Sequence, residues 1–251
     1  MKAKRIVTLC FLLAIAGIIG YTVWQLRTEN KAYYTTQKAI KREEAFYKEL
    51  RLQRNNTATE EATTEKDVFP GTNYTNAETE MVGWLTIPDT PIDYPVLQHN
   101  DDRYYLSHAY GGYPSECGAI FVSSTCALTD DNVIIYGHNL NLSRSEIMFT
   151  SLPHYYDSTY AKEHSILYFC DIPYDIIGAV QMCTTDPNFI WLNPLLTQEE
   201  YETLLTTLEA TAKTTLPHDT AKTSLLTLVT CDTALGEDGR CIIIAKKRLH
   251  K

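Results

Sequence analysis

Apolar positions along this chain recur in distinct rhythms, and each rhythm predicts a different kind of element. Lys2, Lys4 and Arg5 precede an uncharged, mostly apolar run from Ile6 to Leu26. As a helix, such a run spans a hydrocarbon core of about 30 Å. The basic residues on its short side favour an N-in, C-out topology. Ala14-Ile-Ala16 resembles a small-residue cleavage site, which would make the run a signal peptide. The apolar stretch continues past it through Ile18, Ile19, Tyr21, Val23 and Trp24, which favours an uncleaved anchor. Residues 28–54 are strongly charged, with Ala39, Ile40, Ala45, Phe46 and Leu50 at partly helical spacing, so a helix leading away from the membrane is expected. Residues 55–79, including "NNTATEEATTEK", are dominated by Asn, Thr and Glu and predict a solvated linker.

From Glu80 onward the rhythm shortens. Apolar, β-prone runs appear at 83–87, 92–97, 118–123, 132–138, 165–171, 175–183, 224–231 and 240–248, separated by turn residues. Eight such runs point to a sandwich or a closed barrel, mainly β with a few helices. Helical segments are expected near 100–107, 148–162 and 197–212. In the last, Thr197 and Glu200 form a capping-box pattern, and Tyr201, Leu204, Leu205 and Leu208 make one apolar face. The organisation is therefore a cytoplasmic N-terminus and anchor at 1–27, a helix and linker at 28–79, and one folded domain at 80–251.

Charge and cysteine usage narrow the function. A net charge of −9 argues against nucleic acid as the main partner, because phosphate binding needs a basic footprint. Of seven cysteines, Cys10 lies in the apolar run. The other six would suggest disulfides in an exported domain, unless one must stay a free thiol. Cys117, Cys126, Cys170 and Cys183 read as core or disulfide cysteines, and Cys241 reads as core. There is no C-x-x-C pair to suggest zinc, and no metal or cofactor is expected.

The candidate chemistry sits at strand ends. In "TLVTCDTALGEDGR" (227–240), one β-like run ends on Cys231 and the next begins at Arg240, across a loop containing Gly236 and Gly239. A hairpin would place Cys231 and Arg240 at the same end of adjacent strands. "NVIIYGHN" delivers His138 at the end of another apolar run. Thiol, imidazole and guanidinium together suit acyl transfer: nucleophile, proton shuttle, and oxyanion or backbone grip. Each has a plainer reading. Cys231 alone would more often be buried or disulfide-bonded, His138 could be a surface residue, and Arg240 could pair with Glu237 or Asp238. His99, His108, His154, His164, His218 and His250 have no comparable setting. Asp232, directly after the cysteine, reads as a turn cap.

Taken together, "TLVTC" with Arg240 nine positions later, "NVIIYGHN", and "GWLTIPDTPIDYPVLQHNDDRYYLSHAYGGYPSECGAIFVSS" (83–124) resemble a class B sortase. Met148, Phe149 and Leu152 after the histidine and the long helix at 197–212 fit the same family. The resemblance implies an eight-stranded sortase-type β-barrel, with an N-terminal helix and a long helix between the sixth and seventh strands. It also implies a membrane-anchored cysteine transpeptidase, cutting an LPxTG- or NPxT-like cell-wall sorting signal after threonine. Cys231 would form a thioester, His138 would move the proton, and Arg240 would stabilise the oxyanion or align the peptide. The acceptor would be an amine of a peptidoglycan precursor or a pilin. Thr185, Ile190 and Thr230 would contact the substrate. The post-histidine segment "NLNLSRSEIMF" is longer than the family's usual loop. A Cys-His endopeptidase releasing free acid, or a non-catalytic wall-binding module, are the alternatives.

Overall fold

All eight apolar runs of the folded domain become strands in the computed structural model, which describes residues 80–140 and 146–248. Of the rest, only Ile15, Gly20, Tyr21, Lys38, Lys41, Ala45 and residues 48–53 are described. The strands are β1 (Met81–Thr86), β2 (Asp93–Leu97), β3 (Ile120–Val122), β4 (Asn132–Tyr136), β5 (Ile166–Phe169), β6 (Ile172–Cys183), β7 (Thr214–Thr215), β8 (Leu225–Cys231) and β9 (Gly239–Lys247). Hydrogen-bonded neighbours run β1-β2-β3-β4-β8-β9-β6-β5. The ring then closes where Leu85 and Thr86 of β1 pair with Phe169 and Tyr168 of β5. The two-residue β7, which the sequence did not reveal, lies outside this eight-stranded ring, paired to Gly178 and Ala179 of β6.

Apolar residues from around the ring meet in the core. Leu85, Val96, Ile135, Leu167, Leu228 and Ile243 are fully buried, each from a different strand. Burying each such side chain contributes on the order of 1.5–3 kcal/mol before entropy is charged. Between β6 and β7 runs the long helix, Gln198–Thr211, α2 here, preceded in the chain by α1 (Ser158–Glu163). The Thr197 hydroxyl accepts from Glu200 N–H and the Glu200 carboxylate from Thr197 N–H, completing the expected capping box. Tyr201, Leu204, Leu205 and Leu208 form its buried face, as their spacing predicts.

Two helical expectations contract. The segment near 100–107 forms only a three-residue 3-10 helix, Tyr104–Leu106. The segment 148–162 splits into a 3-10 helix, Leu152–Tyr156, and α1. The break is Asp157, whose extended backbone ends the first helix while its carboxylate accepts from Thr159 and Tyr160 N–H to start the second.

The chain divides into two compact units, Met1–Arg42 and Glu43–Lys251. Lys38, Lys41, Ala45 and residues 48–53 are helical, within the helix expected at 28–54. The linker at 55–79, residues 141–145 of the long post-histidine loop, and all but three positions of the apolar run lie outside the described residues. Among the described residues no helix is long and apolar enough to cross a membrane.

Candidate active site

Strand β8 runs parallel to β4 on one side and antiparallel to β9 on the other. The β4–β8 register pairs Asn132 with Leu225 and Tyr136 with Val229. Gly137 N–H then donates to Val229 O at 3.2 Å, carrying the ladder past the end of β4. Two residues beyond Tyr136 and Val229 come His138 and Cys231, so the pairing brings them to the same end of the two strands. Across the hairpin, Cys231 is the direct partner of Arg240. Register partners share a face, and neighbouring strands lie about 4.8 Å apart. Three adjacent strands thus bring thiol, imidazole and guanidinium to one rim, as the strand-end reading expected, with Cys231 and Arg240 on one face. Cys231 is exposed there; His138 and Arg240 are half-buried.

The imidazole is held from behind. His138 Nε2 lies 2.8 Å from the carbonyl oxygen of Leu106, at the end of the 3-10 helix. A carbonyl only accepts, so Nε2 carries the proton and a neutral ring keeps its lone pair on Nδ1. Gly118 makes room for this seat. Its φ is +60°, and a Cβ there would lie 2.4 Å from Tyr105 O and 2.9 Å from His138 Cδ2. Arg240 is tethered to its own loop: Nη1 donates to the carbonyls of Glu237 and Gly239, both at 2.8 Å. The plainer reading of a carboxylate pair with Glu237 or Asp238 is not what forms. Nη2 and Nε make no hydrogen bond among the described residues, so two edges of the fork are available.

Asp232 caps the turn after the thiol, as read from sequence, and does more. Its side chain lies on the opposite face from Cys231 and is only 6% exposed. One oxygen accepts from Ala234 N–H. The other accepts from Tyr156 O–H at 2.7 Å and Gln181 Nε2 at 2.8 Å, tying the end of β8 to a helix and to β6. Burial, with Cys241 and the Asp232 carboxylate nearby, pushes the Tyr156 hydroxyl far above the ordinary phenol range. Burial also pushes the Cys241 thiol up to about 12. Cys241 is core, as expected. All six cysteines of the described residues are free thiols, and Cys231 is the exposed one.

The three substrate-contact candidates are placed differently. Thr185 is exposed and Ile190 half-buried on the segment after β6. That segment lies against the loop following Cys231, where Thr184 N–H donates to Asp238 O at 3.0 Å. Thr230 is 3% exposed and faces away from the rim, its hydroxyl donating to Gly137 O at 2.7 Å. Sequence reasoning did not single out Asn139, whose Nδ2 donates to Cys231 O at 3.1 Å. Nor did it find the Leu106 carbonyl, which is backbone and leaves no trace in residue type. Among the described residues no cluster of His, Cys, Asp and Glu could hold a metal ion.

A closed barrel with thiol, imidazole and guanidinium at one rim has the groups of a cysteine acyl-transfer enzyme. The chain matches no protein-family model. It is 36% identical over 173 residues to sortase B of Listeria monocytogenes, covering 66% of this chain and 69% of that protein. The Staphylococcus aureus sortase B–substrate complex superposes with a TM-score of 0.71 at 23% identity, over 84% of this chain and 98% of that one. A crystal structure of sortase B complexed with triglycine gives 0.69 at 21% identity, over 84% and 99%. The chain belongs to the sortase B family, as the resemblance of its motifs implied. It is a cysteine transpeptidase that acts on sorting signals.

Proposed function

We propose that Cys231 attacks the threonine carbonyl of an LPxTG- or NPxT-like sorting signal, forming a thioester and releasing the C-terminal remainder as an amine. The pairing of β8 with β4 as far as Tyr136 and with β9 at Arg240, which brings the segments carrying His138, Cys231 and Arg240 to one end of the barrel, is the observation that carries this reading. His138 accepts the thiol proton at Nδ1 and delivers it to the departing amine. It then takes a proton from the incoming amine. Arg240 turns its free guanidinium edges to the tetrahedral oxygen or to the signal's backbone. Thr185 and Ile190 wall the peptide groove on the Arg240 side, and Thr230 contributes through the backbone of the neighbouring strand. The acceptor is an amine on a peptidoglycan precursor or a pilin; the triglycine complex of a sortase B supports an amine-bearing acceptor. The run Ile6–Leu26 anchors the enzyme as a single pass, N-terminus inside and catalytic unit outside, a reading supported by its length and flanking basic residues.

Intact-mass spectrometry of wild type and Cys231→Ala tests this. Each is mixed with LPxTG and NPxT peptides, with and without triglycine. The expected result is a thioester adduct in wild type only, converted to an amide product by triglycine. Free acid as the sole product with triglycine present would favour an endopeptidase. Product formation by Cys231→Ala would remove Cys231 from its role.

A further inference from the structure

The backbone ladder between β4 and β8 runs out just where the candidate chemistry begins. Its last main-chain bond is Gly137 N–H to Val229 O. The next two carbonyls along that seam belong to Gly137 and Cys231, and side chains satisfy both. Thr230, the residue before the thiol, donates its hydroxyl to Gly137 O, the carbonyl before the imidazole, at 2.7 Å. Asn139, the residue after the imidazole, donates Nδ2–H to Cys231 O, the carbonyl of the thiol residue itself, at 3.1 Å. The bonds are reciprocal. Each starts beside one candidate catalytic residue and ends on the other strand.

We propose that Thr230 and Asn139 are positioning residues forming a two-bond clasp that sets the separation of Cys231 and His138. This deepens the functional reading above and rests on it. Neither side chain needs to touch the sorting signal. Thr230 is buried facing away from the rim, which moves it from the substrate contact expected of it to a role in geometry. Both bonds end on backbone carbonyls, so they hold main chain in place. With main chain held, side-chain torsions are all that remains between thiol and imidazole. His138 is seated independently by Leu106 O. The clasp therefore acts on where Cys231 sits relative to a ring already held. Proton transfer and nucleophilic attack lose steeply with misplacement of about 1 Å, on the order of 100-fold in rate. Substrate binding along the groove has no such sensitivity, so the clasp belongs to kcat and not to KM.

The test uses the full chain and the peptide that wild type cleaves. The variants are Thr230→Val, which keeps shape without the hydroxyl, Thr230→Ser, which keeps the hydroxyl, Asn139→Ala, and the pair Thr230→Val with Asn139→Ala. The expected result is a fall in kcat of about tenfold for Thr230→Val and for Asn139→Ala, with KM unchanged within about twofold. Thr230→Ser should restore kcat to within about threefold of wild type. The pair should lose less than the product of the single losses, because both bonds hold one gap. The clasp is overturned if the single variants keep wild-type kcat. It is also overturned if Thr230→Ser fails as badly as Thr230→Val while thermal melts show both folded, or if KM carries the loss. Cys231→Ala and His138→Ala are measured alongside. If these are dead while the clasp variants match wild type, only the clasp fails; if they remain active, the site reading fails and takes the clasp with it.

Discussion

Cys231 and Cys241 sit on adjacent strands, one register step apart, and their thiols are opposites. The first is exposed at the rim; the second is buried on the other face, its thiol pushed up to about 12. Because the thiolate is the reactive form, a thiol raised by burial stays protonated and unreactive at pH 8. Iodoacetamide at that pH, followed by peptide mapping of the folded chain, should therefore label Cys231 first and leave Cys241 and the buried Cys126, whose thiol burial also raises, unlabelled. Labelling of Cys241 at a rate near that of Cys231 would contradict the burial described. Residue identity made this site largely legible: Cys231, His138 and Arg240 could be named because strand ends and a hairpin loop can be read from pattern. The supports could not. Leu106 acts through its carbonyl, Asn139 through a bond across the strand gap, and Asp232 through two partners distant in sequence.

At the scale of elements, β1 is pinned where it begins. Glu80 accepts from Tyr105 O–H at 2.7 Å and meets His99 Nδ1 at 2.9 Å. Tyr105 lies in the same 3-10 helix whose Leu106 carbonyl seats the imidazole. Burial alone would raise the Glu80 carboxyl, but the bonds from Tyr105 and His99 outweigh it and lower it from 4.5. A carboxyl lowered in the folded state stabilises the fold above its unfolded value, and the contribution disappears as pH falls through the folded value. Glu80→Gln should thus flatten the acid limb of stability below about pH 4.5, read as urea midpoints across pH, and leave that limb's upper plateau lower than wild type. An unchanged acid limb would show that Glu80 contributes nothing there. Strands were read well because apolar runs between turns are long enough to count. The two-residue β7 offers no run at all. The helix expected at 100–107 shrank because aromatic residues there pack into a local cluster: Leu97, Tyr105, Ala119 and Phe121 form its buried centre. Apolar spacing cannot tell such a cluster from a helix face.

Across the whole molecule, the barrel's strand order departs from chain order where function is built, since β4 lies beside β8 and not beside β5. Periodicity along a sequence carries no information about that pairing; only the closed ring reveals it. Its consequence is one of timing. Cys231 and Arg240 belong to a local hairpin that can close early, whereas the clasp bonds join partners separated by 92 and 93 positions in the chain. Contacts across such separations form late, after the entropy of closing the intervening loop has been overcome. A chain still folding therefore carries its thiol without a neighbouring imidazole. On refolding from urea, transpeptidation should recover with the slowest phase, behind the return of far-ultraviolet circular dichroism, and simultaneous recovery would contradict this order. The topology works as a built-in latency: the thiol is unarmed until the barrel shuts around it.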